Sequence, residues 1–163
     1  MTMQIEMTIK GLIVDPITDL PIIILRDRGG ERVLPIWVGR AEANAIQLQI
    51  ENVETPRPMT HDLLRNVIHD LKAQVLKVVV SDLKEGTFYA LIHLEVGGEP
   101  LAIDARPSDA IALALRTHAP IYAEDSIIDS VKPADLAPDK GDTERLQRWL
   151  ESLDPDDMGK YKM

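Results

Sequence analysis

The chain has 163 residues, 45% of them apolar, which is enough for one core of ordinary domain size. It carries 18 basic against 27 acidic residues, a formal net charge of −9, and residues 1–130 alone hold 12 against 19, so a generic nucleic-acid coat built on phosphate neutralisation is excluded. The absence of cysteine excludes disulfides, thiolate metal sites and a cysteine nucleophile, and the lack of an apolar run of about 18 residues or of a signal-peptide pattern in MTMQIEMTIK makes the expected location the cytoplasm, away from membranes.

Residues 4–14, QIEMTIKGLIV, alternate with Ile5, Met7 and Ile9 on one face, the period of a half-buried strand. After the turn-rich DPITDLP, the runs PIIILRD and ERVLPIWVG flank Gly29-Gly30 and read as a hairpin. From Arg40 to about Glu51 the period becomes helical, with Ala43, Ile46, Ile50 and Val53 on one stripe. Pro56 and Pro58 end that helix. Thr60 is placed as the N-cap of a second, with Met59 and Leu64 as a hydrophobic staple. Its stripe of Leu63, Leu64, Val67, Ile68 and Leu71 is expected to pack on a sheet.

VLKVVVSDL, FYALIHLEV and PLAIDA, separated by Glu85-Gly86 and Gly97-Gly98, predict a three-stranded meander. The segment DARPSDAIALALR (Asp104 to Arg116) is a strand end entering a helix that is apolar on every side from Ala110 to Leu115. Pro120 to Ala123 reads as a short last strand. Residues 131–142 form a linker, and Leu146, Trp149, Leu150 and Leu153 fall on one helical stripe before the tail DPDDMGKYKM, read as mobile. The expected organisation is one domain over residues 1–130 and an extension over residues 131–163. The fold class is α+β, with mixed or antiparallel sheets and packed helices. At an offset of 65 residues IWVGRAEANAIQL falls on AIDARPSDAIAL, which points to duplication of a β-β-β-α unit, with chance similarity as the alternative.

Pro107 suits the first helical position, which puts Ser108 and Asp109 in the first turn, where an acidic group favours the helix dipole. Two readings of this segment stay open. One is a well-capped buried helix with an Asp104–Arg106 ion pair. The other is a cluster of Asp104, Asp109 and Arg106 able to hold a divalent cation and a phosphate together. The twin turn offers Arg40, Glu42 and Asn44, and Thr60-His61-Asp62 offers His61 as a general base or metal ligand; each is also explained by ordinary helix-start chemistry. Phosphate-loop, dinucleotide, zinc-protease and serine-hydrolase signatures are absent, and only six aromatic residues argue against a base-stacking platform.

LPIWVGRAEANAI (Leu34 to Ile46), RPMTHDLL (Arg57 to Leu64), FYALIHL (Phe88 to Leu94) and DARPSDAIALALR together closely resemble the bifunctional nuclease domain family over roughly residues 3–125. The resemblance implies an α+β fold, homo-oligomers (here a dimer is favoured) and hydrolysis of DNA and RNA. Carried over motif by motif, it points to Glu42, His61, Asp62, Asp104 and Asp109 as catalytic candidates. Arg40, Asn44, Arg106 and Ser108 are the substrate-binding candidates, and Asp104 and Asp109 the holders of Mg²⁺ or Mn²⁺, which would activate water on the phosphate. The competing expectation is a non-catalytic oligomeric module that recognises a small anion or a protein partner. A third, purely structural reading leaves interaction to the Trp149 helix.

Overall fold

A computed structural model describes residues 3–30 and 32–130. The expected linker, amphipathic helix and tail of residues 131–163 lie outside the described residues. The strands are β1 (Gln4–Val14), β2 (Pro21–Asp27), β3 (Val33–Trp37), β4 (Ala73–Lys84), β5 (Thr87–Val96), β6 (Glu99–Ala105) and β7 (Ile121–Glu124). The helices are α1 (Arg40–Ile50), α2 (Thr60–Asp70), α3 (Pro107–Thr117) and α4 (Asp125–Ser130). No described helix is long and apolar enough to cross a membrane.

The strands form one seven-stranded mixed sheet in the order β3-β2-β1-β7-β4-β5-β6. The α+β class is as expected, with one continuous sheet in place of several. Two antiparallel meanders, β1-β2-β3 and β4-β5-β6, meet across β7, which runs antiparallel to β1 and parallel to β4. Each meander is followed by a helix, directly from β3 into α1 and from β6 into α3, so the β-β-β-α repeat is visible as two arms of the sheet. Counted from the helix starts at Arg40 and Pro107, Glu42 corresponds to Asp109, whereas the 65-residue offset had set Asn44 there. The sequence alignment was out of helical register by two residues.

Strand β2 is buried on both faces. Ile23 and Leu25 join Leu34, Ile36, Ala43, Ile46, Val78, Ile92, Ile111 and Leu113 in the main core, while Ile22 and Ile24 pack with Ile13 and Trp37 in a small second cluster. The unbroken PIIIL run follows from this double burial, since a strand covered on both sides has no polar face to alternate. The register break between Ile9 and Gly11 shifts the alternation by one residue, so Leu12 follows Met7 and Ile9 into the main core while Ile13 faces the second cluster.

Helix α3 lies between α1 and α2 and rests on β4 and β5, which explains why Ala110 to Leu115 is apolar all round: every side meets a neighbouring element, with the small alanines allowing close approach and Ile111 and Leu113 filling the core. Helix α2 departs from expectation. None of its residues is buried; Leu63, Leu64, Val67 and Leu71 are exposed, and only Ile68 packs against the core. Its N-cap is Met59, one residue before the expected Thr60, because the Asp62 carboxylate accepts the Met59 N–H at 2.9 Å.

Candidate functional site

Three helices begin on the same side of the sheet, and each carries an acid at its third helical position: Glu42 in α1, Asp62 in α2 and Asp109 in α3. Acids there complement the helix dipole, yet their partners are not local amides alone. Arg106, the N-cap of α3, donates from Nε to Asp109 Oδ2 at 2.9 Å and from Nη2 to Glu42 Oε1 at 3.0 Å. His61 Nε2 lies 2.9 Å from Asp109 Oδ1. A carboxylate can only accept, so Nε2 carries the hydrogen and Nδ1 keeps the free lone pair when the ring is neutral.

The chain thus joins α1, α2 and α3 through four side chains in series, Glu42–Arg106–Asp109–His61. Exposure varies along it: the His61 side chain is 12% exposed, that of Glu42 18% and that of Arg106 66%. Burial works to raise the Asp109 carboxyl, and the hydrogen bonds and charges of Arg106 and His61 outweigh it, holding the group below the usual carboxylate range. Hydrogen bonds and charge from Asp109 and then Glu42 push the Arg106 guanidinium up, so it is a permanent cation.

Gly39, the N-cap of α1, makes room for this network. A Cβ there would collide with the Glu42 carboxylate, which folds back over the helix start.

These groups form the rim of a cleft of about 700 Å³. Its walls are aliphatic, from Met59, Leu64, Ile68, Ile92, Leu94, Ile103 and Leu113, and its polar members are Glu42, Asn44, Thr60, His61, Arg106 and Asp109. The structure therefore brings together Glu42, Asn44, His61, Arg106 and Asp109 of the sequence candidates. Asp104 borders the cleft in sequence only: its neighbours Ile103 and Ala105 pair with the core residues Ile92 and Ala90, whereas Asp104 pairs with Leu91 on the other face of the sheet. It has no hydrogen bond or ion pair among the described residues, so the Asp104–Arg106 pair does not form.

Three further candidates also lie elsewhere. Arg40 pairs with Asp19 at 3.0 Å. Ser108 is buried and lines a separate 280 Å³ cavity beside Trp37 and Phe88. Asp62 faces away from the His61 cleft into a second cavity of about 440 Å³ on the far side of α2.

Asp62 meets the residue that sequence reasoning missed. The Arg116 side chain is 2% exposed and donates from Nε to Asp62 at 2.7 Å, from Nη1 to the Ala112 carbonyl at 2.9 Å and from Nη2 to the Ala45 carbonyl at 3.0 Å. One guanidinium thereby ties α1, α2 and α3 together. Burial works to raise the Asp62 carboxyl, and the Met59 amide and Arg116 outweigh it and hold it low. A lone arginine at the end of a helix apolar on all sides was the available signal, since a charge is rarely buried there without a partner.

Among the described residues no three histidines or carboxylates converge as a metal site. Both Asp109 oxygens are occupied, and Glu42 is engaged by the same guanidinium. The donor set as arranged does not fit a divalent cation; Arg106 would first have to leave the carboxylates.

Comparison with known proteins adds a family. Residues 23–134 match the profile described as the bifunctional nuclease domain. An uncharacterized protein of Mycobacterium tuberculosis is 38% identical over 161 residues, covering 93% of this chain and 96% of that protein. Bifunctional nuclease 2 of Oryza sativa subsp. japonica is 32% identical over 126 residues, covering 72% of this chain and 39% of its own. Bifunctional nuclease 2 of Arabidopsis thaliana is 26% identical over 103 residues, 61% of this chain and 31% of that protein. The chain spans only about a third of the plant relatives' length.

Proposed function

The chain belongs to the bifunctional nuclease domain family, and on that premise we propose that it is a nuclease hydrolysing phosphodiester bonds of DNA and RNA. The observation that carries the reading is the 2.9 Å Asp109–His61 contact on the same rim as Arg106. Asp109 orients the imidazole and fixes the hydrogen on Nε2, while Nδ1 takes the proton of the attacking water. The water oxygen bonds to phosphorus as the P–O bond to the leaving nucleoside oxygen breaks, and the imidazolium returns its proton to that oxygen. Arg106 Nη1 has no partner among the described residues, and it binds a non-bridging phosphate oxygen.

Mg²⁺ or Mn²⁺ enters this reading only as a condition to be tested, because the engaged carboxylates give it no ready seat. Purified protein is to be incubated with single- and double-stranded DNA and RNA in Mg²⁺, Mn²⁺ or chelator, beside a folded His61→Ala variant. Cleavage that His61→Ala abolishes is the expected result. Cleavage that survives the substitution removes His61 from the mechanism. Binding without cleavage in every condition favours the non-catalytic module, a reading that the net charge of −9 supports.

A homo-oligomer, a dimer in its simplest form, belongs to the same proposal. Leu63, Val67 and Leu71 line one exposed face of α2 at i, i+4 and i+8, a surface that a second copy would cover.

A further inference from the structure

The 280 Å³ cavity beside Trp37 and Phe88 holds groups that the mechanism leaves unused. Arg106 is the one charged residue in its lining, and the carboxylates Glu42 and Asp109 line the larger cleft instead. In a chain of net charge −9, an anion entering here meets a guanidinium and no acid in the wall. One side of the cavity is the start of α3, an 11-residue helix without a side-chain cap. Pro107 has no N–H and the Ala110 N–H bonds to the Arg106 carbonyl, so the Ser108 and Asp109 amides of the first turn have no partner among the described residues. The Asp109 carboxylate, a natural cap for them, is turned to Arg106 and His61. Ser108 adds a side-chain donor. It is 6% exposed, lines the cavity, and its hydroxyl has no hydrogen-bond partner among the described residues. Helix geometry sets its direction: Asp109 and Leu113, four apart, face the cleft, and Ser108 stands about 100° around from Asp109, on the side where β3 runs into α1. A hydroxyl so buried and left unpaired is unfavourable unless a ligand meets it.

We propose that this cavity is a second phosphate site, filled by the phosphate of the substrate strand next to the one attacked. The Ser108 hydroxyl and the Ser108 and Asp109 amides donate to its oxygens, and the positive end of the α3 dipole adds to the attraction. Arg106 lines both cavities and so stands between the two phosphates, shielding one from the other. The volume is at the small end of ligand cavities, the scale of a hydrated phosphate group. Gly39 and Gly86 contribute bare backbone to the remaining walls, which keeps side chains out of that space. The site itself stands on these donors, and only the strand as the source of its phosphate rests on the nuclease reading. It also gives Ser108, set apart from the His61 cleft, a role in holding substrate.

The test begins with calorimetric titration of the full chain with inorganic phosphate, at neutral pH and fixed ionic strength in chelator. Saturable binding of one phosphate per chain is expected. Ser108→Ala should weaken it at least about 5-fold, the scale of a lost hydrogen bond to a charged group. Thr87→Glu should weaken it as well, by setting a carboxylate on an exposed residue of the same lining, with both folds checked by circular dichroism. No saturable binding, or an affinity unmoved by Ser108→Ala and Thr87→Glu, overturns the proposal. The source of the phosphate is read from cleavage of short single strands that differ only in carrying a terminal phosphate. A KM raised by Ser108→Ala on both strands supports an internal phosphate, and on the phosphorylated strand alone a terminal one. A KM unmoved on both overturns the strand assignment and leaves a site for free phosphate. The titration needs no turnover, so a failure of the nuclease reading shows as phosphate binding without cleavage, and a failure of this site as cleavage without phosphate binding.

Discussion

Asp109 is the residue on which the site turns, because its two oxygens serve two different groups. Substituting Asn keeps the shape but gives an amide that accepts on one side and donates on the other, so either Arg106 loses its acceptor or His61 must accept at Nε2 and carry its hydrogen on Nδ1, the wrong tautomer for a base. Asp109→Asn is expected to lower cleavage by about 10²-fold or more, the scale of an impaired general base, with little loss of substrate binding; kcat and KM measured separately check this. Acid stability belongs to the same scale. Asp109, Asp62 and Asp15 are all held below their ordinary values, by Arg106 and His61, by Met59 and Arg116, and by Trp37, Ile17 and Thr18, each against a burial effect of opposite sign. A group with a lowered folded-state pKa binds its proton more readily when unfolded, so its stabilising contribution is complete above the unfolded value near pH 4 and is lost as pH falls through the folded one. The midpoint of thermal unfolding should therefore be flat above about pH 5 and drop below pH 4, and Asp62→Asn should flatten that drop. An equal acid slope in the variant contradicts the assignment.

Among the elements, the helices were more legible than their company. Their bounds could be read closely because Pro56, Pro58 and Pro107 punctuate them, and the meanders because Gly-Gly and Glu-Gly turns separate alternating runs. Helix α2 was misjudged: an apolar stripe says that a face prefers cover, not which surface provides it, and among the described residues little does so. Arg116 is the buried tie of α2, beside Ile68 in the core and the His61–Asp109 contact. Arg116→Met should cost about 3 kcal/mol, the low end for breaking a buried pair, since Asp62 would lose its partner while half-sheltered. It should also loosen His61, the residue next to Asp62; denaturant unfolding reads the first effect and cleavage rate the second. Gly39→Ala acts at the start of α1. The added Cβ should drive the Glu42 carboxylate off Arg106, changing phosphate affinity while stability moves by less than about 1 kcal/mol; a variant with unaltered substrate affinity would show the Glu42 contact to be idle.

At the scale of the molecule, the role of β7 could not be read in advance. Four residues after a helix look like a terminal strand, but Val78 to Val80 pair with Ile121 to Ala123 and Gln4 to Met7 pair with Ile121 to Glu124, so this short segment joins the two arms of the sheet. Pairing with strands so distant in the chain leaves no local mark. The site shows the same division. Its members were nameable because helix starts with acids, a histidine and an arginine are visible in one dimension, but that Asp109 would bridge His61 and Arg106, and that Asp62 would turn away to Arg116, depends on how three helices meet. The exposed face of α2 is a whole-molecule matter too: Val67→Lys with Leu71→Lys should shift a sedimenting dimer to monomer, and an unchanged species would place the contact elsewhere. The central claim is that His61 and Asp109 act as one unit, and a double-mutant cycle tests it most directly. In single-turnover cleavage of a labelled single-stranded oligonucleotide, His61→Ala and Asp109→Asn combined should be no slower than His61→Ala alone. Multiplicative losses in the double variant, or a rate that survives His61→Ala, would contradict the account.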